Sequence, residues 1–529
     1  MKTKNPIFSL RNFRSFGEDG ADFELAPITV LTGCNSAGKS SLVKALLLLS
    51  SQSKGETMGS TAYDIRRNMP ASQLNISTKT LMLGQFDKVL HDKSESREFS
   101  FSYKIWSDCL QENVIVRRRF VPNKTDFLKN AILRDLIIEK NDGTLIYKVD
   151  SMNYEWEENF SAIEEYYNRF IRVIEFLEAK RDYTLFVEGN FHDISQQVDE
   201  KTIEIVKHQY QDACDNLNEL NIQVECYGKK TINEWTKQYC DPLNKSKIDT
   251  IIEESRSEEE KEEKKRNSFM SFLVNEVITT WFTKGIEYIN SSSAIINRLY
   301  SSEDENKMSK ALRTWNERSS SYHQLGDFPD IIQYKPGRFL NKWVKIFNLG
   351  DSIEIEGTSE GLGMLIYLVK EGKRRLLADE GYGITQLVSL LLQIDNKIEL
   401  ERPDYKEYVC PTKVICVEEP EVHLHPKYQS LLAEMFIEAY QRYNIRFIIE
   451  THSEYLIRKL QVMVADKEKA LSPDDVSLNY VEKDENGVSS NRKIEILEDG
   501  RLSEPFGPGF FDEADTLAME ILKYKARRK

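Results

Sequence analysis

The feature that most restricts what this 529-residue chain can become is the run Gly33-Cys34-Asn35-Ser36-Ala37-Gly38-Lys39-Ser40. It fits G-x-x-x-x-G-K-[ST]. It follows the apolar segment PITVL and opens SLVKALLLLSS, whose apolar residues recur at helical spacing. Strand, glycine-rich turn and helix in that order bring backbone N–H groups and the positive helix end to one point, where phosphate oxygens are held. In that geometry Lys39 is expected to reach the β/γ-phosphates of a nucleotide and the Ser40 hydroxyl to bind Mg²⁺. Gly33, Asn35, Ser36, Ala37, Gly38 and Ser41 complete the expected cradle. A chance glycine-rich turn before a helix is the alternative, and the flanking elements count against it.

Two more strand ends carry chemistry. Val414-Ile415-Cys416-Val417-Glu418-Glu419 is an apolar run closed by two carboxylates, and acids at the carboxyl end of a strand lie where open α/β sheets bind ligands. One is expected to hold Mg²⁺ (Glu418) and the next to polarise an attacking water (Glu419). Farther on, RFIIE is followed by Thr451-His452-Ser453. Ser453 suits the N-cap of helix EYLIRKLQVMV, and His452 is a candidate sensor of the γ-phosphate. The segment PKYQSLLAEMFIEAYQR between the two strands is amphipathic, which makes a βαβ unit.

The rest of the chain fits around these pieces. IFSLRNFRSF reads as a strand, and SFSYKIW, NVIVRRRFV, RDLIIEK and LIYKVD alternate as an antiparallel sheet, with a hairpin turn at Asn141–Thr144. SAIEEYYNRFIRVIEFLEAK, DEKTIEIVKHQYQDACDNLNEL and the charged run Glu253–Arg266, with its i,i+4 pairs Glu260–Lys264 and Glu262–Arg266, read as helices. The expected organisation is therefore a nucleotide-binding head built from residues 1–157 and 336–529, interrupted by a helical insertion or arm at 158–335.

Composition narrows the class. At about 150 residues per domain the length allows roughly three lobes. No apolar stretch of about 18 residues is present, so a membrane-spanning protein is not expected. The first residues lack an apolar core before a small-residue cleavage site, and seven Cys without a CxxC pair suit a reducing cytosol. A net charge of -14 argues against nucleic acid bound over the whole surface. Arg117-Arg118-Arg119 and the tail Lys523–Lys529 stay open between local phosphate contacts and solvated surface.

These motifs together resemble the ABC-class ATPase heads of the RecF, SMC and Rad50 group. EEPEVHLHP (Glu418–Pro426) with ETHSEYLIRKL (Glu450–Leu460) is more narrowly similar to the OLD ATPases, nearest to the PtuA-type members of Septu and retron-associated anti-phage systems. FSLRNFRSF, LTGCNSAGKSSL and FGPGFFDEADTLA are similar to the same group, so the resemblance covers about 1–110 and 335–520. It implies an α/β ABC/P-loop ATPase head with mixed and antiparallel β lobes and a helical insertion arm, using ATP and Mg²⁺. It implies that Gln85 links Mg²⁺ to the neighbouring lobe. It also implies that Asp379-Glu380-Gly381-Tyr382-Gly383-Ile384-Thr385-Gln386 is a signature whose Gly381, Gly383 and Thr385 reach a partner's ATP. His423 and His425 would lie in the loop that touches the partner head; as an HxH pair alone they lack the further ligands a metal site needs. Arg11, Asn12 and Phe13 would approach adenine or ribose, or simply pack a strand against its neighbour.

The resemblance further implies a homodimer or higher oligomer through the heads. A separate HNH-type nuclease subunit and a reverse transcriptase–nucleic acid complex or DNA are the implied partners, with no membrane. No D-x-D occurs after residue 453, and Asp512-Glu513-Ala514-Asp515 has the wrong spacing for the metal acids of a nuclease domain, so no intrinsic nuclease is expected. The alternatives are a RecF/Rad50-like head acting directly on DNA and a non-hydrolysing scaffold stabilised by nucleotide.

Overall fold

A computed structural model of the chain describes residues 5–52; 73–168 apart from 77–80, 82, 124–129 and 151–154; a few helical residues between 171 and 212; 258–324 apart from 279, 284, 291–296, 302 and 305; 335–398 apart from 359–362; and 412–527 apart from 467, 469, 470 and 508. Most of the two helices expected at 161–180 and 199–220 lies outside these residues.

The heart of the head is a six-stranded sheet of order β10-β15-β16-β3-β17-β18: β10 (Glu287–Ile289), β15 (Lys413–Glu418), β16 (Ile445–Glu450), β3 (Ile28–Gly33), β17 (Val476–Lys483) and β18 (Ser489–Ile494). All neighbours are parallel except the last pair. Its central strands are apolar without alternation because both faces are covered. Val414 and Cys416 enter one core, while Ile415 and Val417 enter the other.

The first core is closed by an eight-stranded antiparallel sheet of order β2-β1-β5-β6-β7-β8-β9, with β4 on β7. Its strands are β1 (Ile7–Arg11), β2 (Ala21–Glu24), β4 (Gln73–Asn75), β5 (Phe99–Ser107), β6 (Glu112–Pro122), β7 (Asn130–Lys140), β8 (Leu145–Asp150) and β9 (Glu155–Glu158). Here alternation returns, and Phe99, Phe101, Tyr103 and Ile105 all point inward from β5. The expected hairpin turn forms, with Lys140 N–H donating to Thr144 O and Gly143 at φ +87°.

Helix α1 (Lys39–Gln52) lies between the two sheets, which explains its unbroken apolar run: Leu42, Val43, Ala45, Leu46, Leu48 and Leu49 are all buried. Each such leucine contributes roughly 1.5–3 kcal/mol by leaving water. Helix α2 (Glu258–Ile278) packs on β5 and β6 of the same lobe. Its Glu262 and Arg266 pair at 3.7 Å with the expected i,i+4 spacing.

The second core is covered by α3 (Lys307–Gln324), α4 (Arg338–Ile346), α5 (Tyr382–Asp395), α6 (Pro426–Tyr443) and α7 (Glu454–Ala465). A four-stranded antiparallel sheet, β11 (Tyr300–Ser301), β13 (Gly363–Lys370) and β12 (Ser352–Gly357) with β14 (Lys373–Leu376) on β13, borders that core. Helix α8 (Glu513–Arg527) ends the described chain; residues 528 and 529 of the basic tail lie outside it. The fold is α/β with mixed and antiparallel sheets. No described helix is long and apolar enough to cross a membrane.

Two expectations need amendment. Part of the segment read as an arm belongs to the head: β10 extends the central sheet beside β15, and α2 fills the β lobe. A three-residue strand rich in polar groups gives no periodicity from which to read it. The arginine triplet of β6 is not free for phosphate. Arg118 is buried and donates to Tyr103 Oη and Ile278 O; Arg119 holds Asp135 through two hydrogen bonds; Arg117 lies 3.5 Å from Glu139. The period of two sends Arg118 to the inner face, where helix α2 supplies the acceptor.

Candidate nucleotide-binding site

Three strands end at one edge of the central sheet. β3 runs into the P-loop, β15 ends at Glu418-Glu419, and β16 ends at Glu450. Glu418 lies opposite Glu450 in the parallel ladder, and Glu450 lies opposite Leu31. Glu419 N–H donates to Glu450 O at 2.7 Å, and Thr451 N–H donates to Leu31 O at 3.0 Å. The ladder thus carries three loops, far apart in sequence, to one place.

The P-loop has the shape its glycines require. Gly33 sits at φ +133°, and a Cβ there would fall 1.9 Å from Val481 O. Gly38 sits at φ +109°, and its Cβ would fall 2.3 Å from Ser15 Oγ. Ser36 also adopts a positive φ, and Ala37 O accepts from Ser489 Oγ at 2.6 Å. Lys39 is buried and its ammonium donates to Gly33 O (3.1 Å) and Cys34 O (2.9 Å). Burial holds this ammonium below its ordinary pKa, against the pull of Glu450 and Glu419.

Ser40 opens α1, and its hydroxyl donates to Glu450 Oε1 at 3.0 Å. Glu450 is buried; burial, aided by the charges of Glu418 and Glu419, pushes its carboxyl up to about 7, while the Ser40 bond and Lys39 oppose the rise. Glu418 accepts a hydrogen bond from the Tyr288 hydroxyl of β10. Glu419 has φ +44°, a left-handed conformation that costs a non-glycine residue about 1–3 kcal/mol. Its side chain lines a cleft of about 570 Å³ together with Asn35, Glu421, Gln429 and His452.

His452 is fixed from behind. Its backbone N–H donates to Glu421 Oε1 at 2.6 Å, and Ser453 caps α7 by accepting from Leu456 N–H. Burial and the nearby Lys39 charge keep the imidazole below its usual pKa, so it stands neutral near pH 7. Arg14 reaches the first turn of α1, its Nε donating to Ser41 Oγ at 3.2 Å.

The stretch expected to be a signature lies apart from these groups. Gly381 caps α5 in extended backbone with open space where a Cβ would go. Gly383 is crowded, since its Cβ would fall 2.4 Å from His423 O. Thr385 is buried, with its hydroxyl toward Leu377 O and Gly381 O, so its side chain faces its own turn. Gly381, Tyr382 and Gly383 line a second cleft of about 400 Å³ with His423, Leu424 and His425. His423 and Leu424 border both clefts, and the His423 ring meets Tyr382 edge-on at 4.9 Å. His425 caps α6. Among the described residues no three His, Cys, Asp or Glu side chains form a metal-binding group.

Gln85 is exposed at the start of a short turn, and among the described residues no hydrogen bond joins its side chain to Ser40 or Glu418. Asn12 tethers the loop at 91–98 through His91 N–H, Ser96 O and Glu98 O, while Phe13 is core; both have packing roles, and Arg11 is exposed. Glu450, Glu421, Tyr288 and Arg14 were not singled out from sequence. A carboxylate closing the second apolar strand, as Glu418 closes the first, was the available sign of Glu450.

A family model described as AAA ATPase domain matches residues 6–457. A second, described as protein of unknown function (DUF3696), matches residues 471–521. No curated protein matches the chain. Among solved structures it is similar to the SMC head domain from Thermotoga maritima (11% identity, covering 94% of this chain and 100% of that one, TM-score 0.34). It is also similar to the Smc head domain with a coiled coil and joint from Pyrococcus yayanosii (12%, 94% and 98%, TM-score 0.36). A third is an SmcHead bound to the C-winged helix domain of ScpA (10%, 93% and 98%, TM-score 0.40).

Proposed function

This chain belongs to the AAA ATPase domain family, and on that premise we propose that it binds ATP with Mg²⁺ at the P-loop and hydrolyses it in the cleft between Asn35, Glu419 and His452. The observation that carries the reading is the convergence of the P-loop, Glu419 and His452 at one sheet edge.

The residues fit the metal. Ser40, Glu418 and Glu450 offer hard oxygen donors, and Mg²⁺ is ordinarily held by one or two such protein groups beside phosphate oxygens. Ser40 and Glu418 would hold it, with Glu450 supporting Ser40. When bound, the ion neutralises charge that develops on the phosphate oxygens. Lys39 exchanges its two loop carbonyls for phosphate oxygens, since both contacts are to neutral acceptors. Glu419, at the mouth of the cleft, orients the attacking water and takes its proton. Neutral His452 donates a hydrogen bond toward the γ-phosphate without adding a charge beside Lys39.

In the same reading two copies close over the nucleotide, and the Gly381–Gly383 turn of one approaches the γ-phosphate of the other. The open space at Gly381, at the N-terminus of α5, supports this. Thr385 then acts from inside the turn, by shaping it. The partner proposed from the sequence resemblance is a separate HNH-type nuclease, in an anti-phage role with a retron link in some systems. The paired arginines of β6 and the net charge of -14 favour this over direct action on DNA.

Lys39→Ala tests the reading. It removes the phosphate cation from a loop whose shape rests on Gly33 and Gly38, so the fold should persist and ATP affinity should fall about 100-fold. Equilibrium binding of a fluorescent ATP analogue, beside circular dichroism, measures both. Undiminished affinity would remove the P-loop from the mechanism.

A further inference from the structure

Tyr288 reaches the site from a segment with no motif of its own. It lies on β10, opposite Cys416 of β15, and its hydroxyl donates to Oε2 of Glu418. The ring is held from the other side: Lys307 of α3 places its ammonium 4.7 Å from the ring centroid and donates to Tyr288 O at 2.8 Å. β10 is also tied to its surroundings. Ile286 N–H donates to Ser50 Oγ near the end of α1, and Glu287 pairs with Lys397 at 2.9 Å.

The segment leading into β10 is anchored just as firmly. Trp281 packs against Arg446 of β16, and Phe282 meets Tyr103 edge-on at 5.2 Å. The last turn of α2 is gripped by Tyr103 at Val277 O and by Arg118 at Ile278 O. Tyr288 is therefore the tip of a braced connection that runs from helix α2 to one oxygen of Glu418.

We propose that Tyr288 is a positioning residue for the Glu418 carboxylate: its hydroxyl holds Oε2, leaves Oε1 for the metal, and couples metal loading to β10 and the end of α2. The inference rests on the reading of Glu418 as the carboxylate that holds Mg²⁺. A carboxylate that can rotate holds a metal less well, and loss of such a supporting hydrogen bond typically costs 10–100-fold in affinity.

The test is Tyr288→Phe in the full-length protein, which keeps the ring over Lys307 and removes only the hydroxyl. Binding of a fluorescent ATP analogue is titrated with Mg²⁺ and repeated in EDTA. The expected result is a rise of about tenfold in the Mg²⁺ midpoint with unchanged affinity in EDTA. Hydrogen exchange of residues 281–289 is expected to slow on Mg²⁺–ATP addition in the wild type and not in the variant. Lys397→Met, which loosens β10 at Glu287 without touching Glu418, is the control and should raise the midpoint by less than Tyr288→Phe does. A midpoint within about twofold of wild type in Tyr288→Phe, or an equal rise in Lys397→Met, overturns the role of the hydroxyl. If the variant shows the same nucleotide-dependent slowing of exchange as the wild type, the coupling is overturned. Failure of the wild type to bind the analogue in any condition is a different result: it overturns the nucleotide reading itself, and this one with it.

Discussion

The Ser40 hydroxyl donates to Glu450 Oε1 across 3.0 Å, joining positions 410 residues apart at the mouth of the P-loop. Glu450→Gln keeps an acceptor there and removes the charge, while Glu450→Ala removes both. We expect Ala to lower ATP turnover by about tenfold or more, Gln to lower it less, and both to keep nucleotide binding in EDTA. Steady-state kinetics beside binding titrations measure this. Equal losses in the two variants would mean that charge, and not the hydrogen bond, is what Ser40 needs.

Glu419 combines a strained backbone with a side chain in the cleft. Glu419→Gln should leave ATP bound and cut turnover by about 100-fold or more, the usual scale for losing a proton acceptor. Glu419→Gly should be equally inactive yet more stable by about 1 kcal/mol, because glycine adopts a positive φ without strain. Single-turnover assays and denaturant melts check the two halves separately. A glycine variant no more stable than the glutamine variant would show that the conformation is not a source of strain.

Gly381 and Gly383 should respond differently to alanine. Gly383→Ala places a methyl group 2.4 Å from His423 O and must move either the turn or the loop, so stability should fall by about 1–3 kcal/mol. Gly381→Ala meets nothing within 4 Å and should leave the monomer's stability unchanged. Reduced turnover in Gly381→Ala with unaltered ATP binding would then locate the defect between two copies. Unaltered turnover would remove Gly381 from the partner contact.

A pH effect is expected far from the site. Glu276 of α2 is half-buried and accepts from Ser107 Oγ (2.8 Å), Asp108 N–H (2.7 Å) and Cys109 N–H (3.2 Å). Burial outweighs these donors and raises its carboxyl from 4.5 to about 7. Between those values the folded state holds a proton that the unfolded state has released. Stability of the wild type therefore falls as pH rises through that window and levels off above it. The raised carboxyl corresponds to a loss on the order of 3 kcal/mol across the window at most. Denaturant unfolding at about pH 5 and about pH 8 should give a shallower dependence for Glu276→Gln than for wild type. Equal slopes would show that Glu276 is ionised throughout.

The P-loop, the carboxylates closing β15 and the βαβ unit were legible because each is written in contiguous residues with a strand or helix on either side. The β5–β8 sheet was legible from its period of two. Glu450 and Tyr288 were not, because their roles come from partners 410 and 130 positions away, brought close only by strand order. Thr385 sits where the signature pattern requires it, yet whether a side chain faces a partner or its own turn depends on backbone direction, which spacing alone does not give. The β6 arginines show the same limit: their acceptors lie on α2 and β7.

Gly33 is pressed against Val481, and the strand that leads to it is flanked by β16 and β17. The P-loop leaves the ribosome before β16 and β17, and so has no walls until those strands have also emerged. Competence for nucleotide waits on β17, and a truncated product that retains an intact P-loop but lacks β17 would sequester no ATP.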